Sequence, residues 1–292
     1  PPRSTLFPYT TLFRSATSDG RLYHGRILDW TEIGYILENP VIFVRQPDGG
    51  IPHIFIGFPG NLSPYSGINA AGVVINSNEA DPLDSSVQSL EGSSHVQMVG
   101  HILEAAHNYE EAADIIENFG HMSAELVMVS DGNSGRAAAF EMCAAGLGVR
   151  ELDNDVVFMT NHFVADETAG FDADPAGDSS RRRFDRMAQL LPEGASDSLF
   201  GTLNPQTIVT DVLRDRVNPD NGEEFGTDVF DNDSSLATNG ALFAIVYDPA
   251  NRFFWVAAGY PLPVPERPFV GFSVGELLGE ENAGTPDPAT ME

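Results

Sequence analysis

Cysteine is almost absent from this 292-residue chain: Cys143 is the only one. A single thiol excludes an intrachain disulfide framework and a cysteine-rich metal site within one chain. Lysine is missing altogether, so all 15 basic residues are Arg, against 43 Asp and Glu, for a formal net charge of −28. Such a surface repels phosphate backbones and anionic lipid, which argues against nucleic acid or a membrane surface as a partner. It suits a saline or extracellular setting, with a periplasmic or secreted location ahead of a cytoplasmic one, although a coding bias toward GC explains missing lysine equally well. No run of 18 apolar residues occurs, so no transmembrane helix is expected.

Acidic residues are also missing from Pro1 to Ser15, which nearly repeats itself as Ser4-Thr5-Leu6-Phe7 and Thr10-Thr11-Leu12-Phe13. This stretch resembles translated sequencing-adaptor sequence joined to an environmental read. It is read as non-native and kept out of the fold reasoning, and the native start of the protein is expected to be missing. The remainder is 42% hydrophobic on the whole-chain figure and long enough for one large core. The domain reading is therefore a non-native segment 1–15, a single domain 16–279, and a polar, mobile tail 280–292.

Within that domain, residues 21–30 read as a strand, with Leu22, His24, Arg26 and Leu28 alternating with Tyr23, Gly25, Ile27 and Asp29. Pro40–Gln46 and Ile51–Gly57 form apolar runs joined through Asp48-Gly49-Gly50, a hairpin signal. Gly72–Asn76 is a further short strand. Helical spacing follows at Val96, Val99, Leu103 and Ala106, and again over Tyr109–Phe119. Leu126–Ser130, Arg136–Met142 and Val156–Thr160 read as strands separated by Asp131-Gly132-Asn133 and Asp153-Asn154-Asp155 turns. Asp166–Asp178 is an acidic loop leading to a helix over Ser180–Leu191 capped by Ser179 or Ser180. Asn204-Pro205 opens another helix through Arg216. A last hairpin joins Leu242–Tyr247 to Arg252–Ala257 through Asp248-Pro249-Ala250-Asn251. Strand runs at both ends with paired helices between them suggest two sheets covered by helices, an α+β architecture.

Charged residues inside a buried-looking strand are costly, by several kcal/mol when unpaired. Arg26 and Asp29 therefore stand out, and a structural ion pair is one explanation for them. They do not stand alone. Arg26 and Asp29, then Gly67-Ile68-Asn69-Ala70-Ala71-Gly72-Val73-Val74-Ile75-Asn76, then Thr160-Asn161-His162-Phe163, then Ser179-Ser180-Arg181-Arg182-Arg183-Phe184 occur in an order and spacing that resembles the choloylglycine hydrolase superfamily of N-terminal nucleophile enzymes. Within it, the likeness is to the acyl-coenzyme A:isopenicillin N acyltransferase and carcinine hydrolase-like branch, from about Asp19 to Leu278. The resemblance implies a four-layer αββα sandwich, here lacking its native N-terminal strand. It implies autoproteolytic processing that exposes an N-terminal cysteine, which family spacing places among Phe7 to Thr11, where no Cys stands.

The resemblance also implies the site. Arg26 would stabilise the thiolate, Asp29 would hold the α-amine, Asn76 and Asn161 would donate to an oxyanion, and Arg183 would order the nucleophile and the asparagines. The chemistry is consistent: an α-amine titrates at about 7.7–8.0 and a thiol near 8.5, so an N-terminal cysteine carries a matched base. Two readings of the asparagines remain, since turn or strand-end hydrogen bonds also explain such residues. Relatives often carry Asn after the arginine, where this chain has Ile27, which leaves the local hydrogen bonding in doubt.

Other candidates carry less. His162 reads as a structural donor, Cys143 as a small buried residue, and at least one of Arg181 and Arg182 as a solvated position. Asp231-Asn232-Asp233-Ser234-Ser235 looks like a calcium loop but has Leu236 where the glycine is required. Gly57-Phe58-Pro59-Gly60 lacks the Lys and helix of a phosphate loop. No cofactor and no metal are expected. The expected function is hydrolysis of a linear, non-peptide N-acyl bond on a small-molecule substrate through a cysteine acyl-enzyme, in a chain that has lost its nucleophile and is inactive. Rival readings are transfer of an acyl group from a thioester to an amine, a non-catalytic binding module, and a Thr-dependent enzyme using Thr10 or Thr11. A homo-oligomer is compatible with the sequence.

Overall fold

Two seven-stranded sheets, stacked face to face and each covered by helices, make up the protein in a computed structural model that describes residues 9–14, 16–30, 34–152, 156–173, 178–226, 235–238, 240–261 and 263–292. In chain order the strands are β1 (Tyr9–Phe13), β2 (Tyr23–Asp29), β3 (Val41–Arg45), β4 (His53–Gly57), β5 (Ser66–Asn69), β6 (Val73–Glu79), β7 (Glu125–Asp131), β8 (Ala137–Cys143), β9 (Gly146–Glu151), β10 (Val156–Met159), β11 (Ala241–Asp248), β12 (Phe253–Ala258), β13 (Phe269–Ser273) and β14 (Thr290–Met291). The helices are α1 (Gly34–Glu38), α2 (His95–Ala105), α3 (Tyr109–Asn118), α4 (Asp178–Leu190), α5 (Pro205–Thr207), continued by a π-helical turn at Ile208–Leu213, and α6 (Val274–Leu277). The first sheet runs β10-β1-β2-β11-β12-β13-β14 and the second β3-β4-β5-β6-β7-β8-β9, with antiparallel pairing throughout.

The period of two in each strand sorts residues between a helix-facing layer and the space between the sheets. In the second sheet Val73, Ile75, Val127, Val129, Ala138 and Phe140 pack under α2 and α3. Their strand neighbours Leu126, Met128, Ala137 and Ala139 turn inward to meet Leu12, Val157 and Met159 of the first sheet. The outer face of the first sheet packs Tyr9, Phe13, Tyr23 and Ile27 against Met187, Ile208, Val212 and Leu213. Four layers result, α, β, β and α.

Several expectations need correction. Part of the segment read as non-native and kept out of the fold reasoning forms β1, buried between β10 and β2, because its β-branched and aromatic residues Tyr9, Thr10, Thr11 and Phe13 suit a two-sided interior strand. The tail expected to be mobile is fastened. Met291 is fully buried, β14 pairs with β13, and Trp255 Nε1 donates to the Pro288 carbonyl at 2.6 Å. Helix α4 begins at Asp178, which places Ser179 and Ser180 inside its first turn instead of at its cap. Strands β5, β9, β13 and β14 have no counterpart among the expected elements, and β6 continues three polar residues beyond Asn76. Residues 1–8 and 15 of the adaptor-like segment, the 153–155 turn, part of the 166–178 loop and positions 231–234 of the calcium-like sequence lie outside the described residues.

No helix among the described residues is long and apolar enough to cross a membrane.

Candidate active site

Strand β2 carries its charges into the interior because it is flanked on both sides and covered on both faces; all seven of its residues are buried. Thr10 stands opposite Arg26 in the β1–β2 ladder and Ile245 opposite it in β2–β11, so the Arg26 side chain leaves on the face turned toward the second sheet. There it donates from Nη1 to the Tyr65 carbonyl at 2.6 Å and from Nη2 to the Ser77 carbonyl at 2.7 Å. Burial lowers the Arg26 pKa to about 9, against the pull of Tyr247, Asp29 and Tyr65, so it remains a cation at neutral pH.

Asp29 closes the strand where the β2–β11 register shifts. Its Oδ2 accepts from Thr238 Oγ1 at 2.5 Å, and burial pushes its pKa up to about 7 against the lowering effects of Thr238, Arg183 and Arg26. Arg183 reaches the same region from α4. It is fully buried, in line with Met187 one turn later, and its Nη2 donates to Asn161 Oδ1 at 3.0 Å. Asn161 Nδ2 in turn donates to the Glu79 carbonyl at 2.7 Å. The end of β6 is thus clasped from two sides, by Arg26 at Ser77 and by Asn161 at Glu79.

Asn76 is held elsewhere. Its Nδ2 donates to His24 Nε2 at 2.6 Å, and its Oδ1 accepts from Ser66 Oγ, which also pairs with Tyr247 Oη at 2.7 Å. Burial, and Arg26 nearby, hold His24 well below its usual pKa, so the ring is neutral; with Nε2 accepting, Nδ1 donates to Ser130 Oγ at 2.8 Å. Because β6 runs on to Glu79, the asparagine at the mouth is Asn78, two residues further along the same face and roughly 7 Å away by strand rise. Asn78 donates to the Thr160 carbonyl at 2.8 Å and, with Asp29, Trp30, Tyr65, Glu79 and His95, lines a small cleft of about 40 Å³. Four of the five expected residues, Arg26, Asp29, Asn161 and Arg183, gather around this end of β6 through the bonds above, though only Asp29 of the five lines the cleft itself. Asn78 was not among the residues singled out from the sequence, although the Asn76-Ser77-Asn78 spacing of two puts both asparagines on one face of a strand that continues.

Buried polar atoms on β1 and β2 that find no hydrogen-bond partner among the described residues are Arg26 Nε, Asp29 Oδ1, Tyr9 Oη and Thr10 Oγ1. Interior polar atoms are paired in the large majority of cases, and each orphan costs about 1–3 kcal/mol. Here they belong to adjacent positions of β1 and β2. Tyr9 lies within electrostatic reach of Asp29 and Arg183, and burial, with Asp29 and Asp215 next, raises its pKa. Thr11 Oγ1 instead faces α4, 3.8 Å from Met187 Sδ.

The remaining candidates sit where their chemistry is idle. Cys143 is buried at the end of β8. His162 Nδ1 lies 2.8 Å from Ser180 Oγ and 3.1 Å from Thr160 Oγ1, and burial lowers its pKa to about 4. Arg181 is exposed and Arg182 pairs with Asp220 at 2.7 Å. No group of three or more His, Cys, Asp or Glu arranged to hold a metal occurs among the described residues.

The family model for acyl-coenzyme A:6-aminopenicillanic acid acyl-transferase matches residues 35–262, well over half of the sequence. The chain belongs to that family. No curated protein matches it significantly. Among solved structures, a variant of the conjugated bile acid hydrolase from Clostridium perfringens superposes with a TM-score of 0.56 at 14% identity, covering 97% of this chain and 98% of that one. A second mutant of the same hydrolase gives 0.55 at 13% identity, with 95% and 96% covered. The Caenorhabditis elegans N-acylethanolamine-hydrolyzing acid amidase ortholog gives 0.49 at 14% identity, with 83% and 93% covered. The fold of this acyl-transferase family member is accordingly the αββα sandwich of the N-terminal nucleophile hydrolases.

Proposed function

We propose that this protein is a hydrolase of linear, non-peptide N-acyl bonds that works through a cysteine acyl-enzyme, and that the present chain lacks the nucleophile and is inactive. The observation that carries this reading is the set of orphaned buried atoms at β1 and β2. Arg26 Nε and Asp29 Oδ1 are a donor and an acceptor aimed into an interior that offers them nothing, beside the strand on which family spacing places the nucleophile. A thiolate and an α-ammonium at the head of β1 would complete both. The α-amine would take the thiol proton, Asp29 would hold the resulting ammonium, and Arg26 would favour the thiolate by charge. Sulfur attack on the substrate carbonyl then places negative charge on oxygen, for which the amide of Asn78, which lines the cleft, and that of Asn161, bound to the Glu79 carbonyl beside it, would be donors. The ammonium returns its proton to the leaving amine, and water releases the acyl group.

Transfer from a thioester to an amine uses the same acyl-enzyme and is favoured by the family the chain belongs to. Only the acceptor differs. The Thr-dependent reading draws little support from the site, since Thr10 and Thr11 are interior strand residues with a peptide nitrogen in place of a free amine.

The test is a restored gene that supplies an N-terminal cysteine at the head of β1, compared with the present chain. Incubation with an N-acyl substrate followed by mass spectrometry is expected to show an acyl adduct on the restored protein only, released by hydroxylamine. Hydrolysis product without dependence on added amine favours the hydrolase over the acyltransferase. Absence of any adduct in a folded restored protein would favour a binding module, and turnover by the present chain that vanishes on changing Thr10 or Thr11 would establish the threonine mechanism.

A further inference from the structure

Next to the cleft, across His95, lies a second cavity of about 210 Å³ between the start of α2, the segment after α3, and the ends of β7 and β8. His95 lines both spaces. The walls of the second are mainly apolar and polarisable, from Met98, Phe119, Met122 and Met142. One carboxylate interrupts them. Glu125 is only 8% exposed, its Oε1 accepts from His95 Nδ1 at 2.9 Å, and its Oε2 is buried with no partner among the described residues. His121 Nε2, on the same wall, is a second buried polar atom without a partner among the described residues. Burial keeps the His121 ring neutral by lowering its pKa, so that ring offers one lone pair.

A pocket that leaves acceptors unsatisfied within an apolar wall suits a ligand rich in donors. A bare carboxylate oxygen at a dry site costs free energy until a donor meets it, and a cationic nitrogen is the donor that gains most there. An anion is disfavoured by Glu125 and by Glu79, which stands opposite it in the β6–β7 ladder and adds to its electrostatic load. Thioether and phenyl surfaces accommodate the carbon body of such a group and tolerate its charge. The net charge of −28 enriches cations around the whole molecule.

We propose that this cavity is a recognition site for an organic ammonium group on a short apolar body, with Glu125 as its anionic partner, and that it receives the amine-side end of the substrate whose acyl carbon sits in the cleft. The substrate part of this statement rests on the N-acyl reading above, whereas ammonium binding does not. His95 separates the two ends and, through its bond to Glu125, acts as a positioning residue.

The experiment is calorimetric titration of the chain as it stands with three probes of one shape: phenethylammonium, 2-phenylethanol and 3-phenylpropionate. The ammonium is expected to bind about tenfold more tightly than the alcohol, the ratio for a charge-assisted contact about 1.4 kcal/mol stronger than a neutral one, and the carboxylate most weakly. Glu125→Gln should remove the preference, while Met122→Trp, which fills the cavity, should weaken all three. Should Glu125→Gln fail to fold, the wild-type order and the Met122→Trp result decide. Equal affinities, a preference for the carboxylate, no saturable binding, or selectivity that survives Glu125→Gln would each overturn the proposal. Since no nucleophile is needed, failure here alongside an acyl adduct in the restored protein leaves the hydrolase reading standing; ammonium binding without an adduct leaves a binding module.

Discussion

Replacing Asp29 with Asn is expected to flatten the dependence of stability on pH. The Asp29 carboxyl is 1% exposed, with one oxygen bound to Thr238 and the other without a partner among the described residues, and burial carries its pKa from 3.8 to about 7. A carboxyl whose folded pKa lies above its unfolded one binds its proton more tightly in the native state. Its contribution is therefore fully present below about pH 3.8 and is lost as pH rises through about 7. The gap corresponds to about 4 kcal/mol at 1.36 kcal/mol per pH unit. Asn cannot ionise, so Asp29→Asn should match the parent near pH 4 and exceed it by up to about 4 kcal/mol near pH 8, as read by urea unfolding at a series of pH values. Taking the difference between the two proteins cancels every other titrating group. Parallel curves for the two would refute the argument that Asp29 is stranded without its cationic partner. In the restored protein an α-ammonium beside Asp29 should lower its pKa, and the difference between parent and variant should shrink accordingly.

Glu141 is fully buried, accepts from Arg150 Nε at 2.6 Å on one oxygen, and accepts on the other from Val164 N, Ala165 N and Thr168 Oγ1 at 2.8–2.9 Å. Glu141→Gln sets an amide donor against the guanidinium and should cost about 3–5 kcal/mol in chemical denaturation; a loss below about 1 kcal/mol would show that the Arg150 bond is dispensable. Met291→Ala, at the far end of the sequence, should cost about 2–5 kcal/mol because that side chain is fully buried beside β13, and an unchanged thermal midpoint would mean that the tail is not fastened in solution.

Much of the fold is legible in local pattern. The continuous apolar run Leu242–Tyr247, the Asp248-Pro249 turn, the helical spacing of Val96 to Ala106 and the Asn204-Pro205 start are short-range effects, and each element forms at the expected place. Strands β9 and β14 escaped because they are edge strands, where Gly146, Gly148 and the polar tail carry little propensity and pairing alone makes them strands. The site divides in the same way. Motif spacing brought Arg26, Asp29, Asn161 and Arg183 forward as candidates, and the structure places them on β2, just after β10 and in α4, elements whose positions follow from local pattern. The choice between Asn76 and Asn78 was not available locally, because it depends on how far β6 continues alongside β7, and His24 and Ser66 come from other strands.

The amino-acid sequence by itself determined the order of elements, the family and the residue types brought to the site, because periodicity, turn chemistry and spacing are properties of neighbours along the chain. Only the tertiary structure decided that Tyr9–Phe13 fills an interior strand position, that the tail is bound, and that buried atoms of Arg26, Asp29 and Glu125 stand without partners among the described residues. Burial and hydrogen-bond satisfaction depend on groups far apart in sequence, and they exist only once the two sheets have closed on each other.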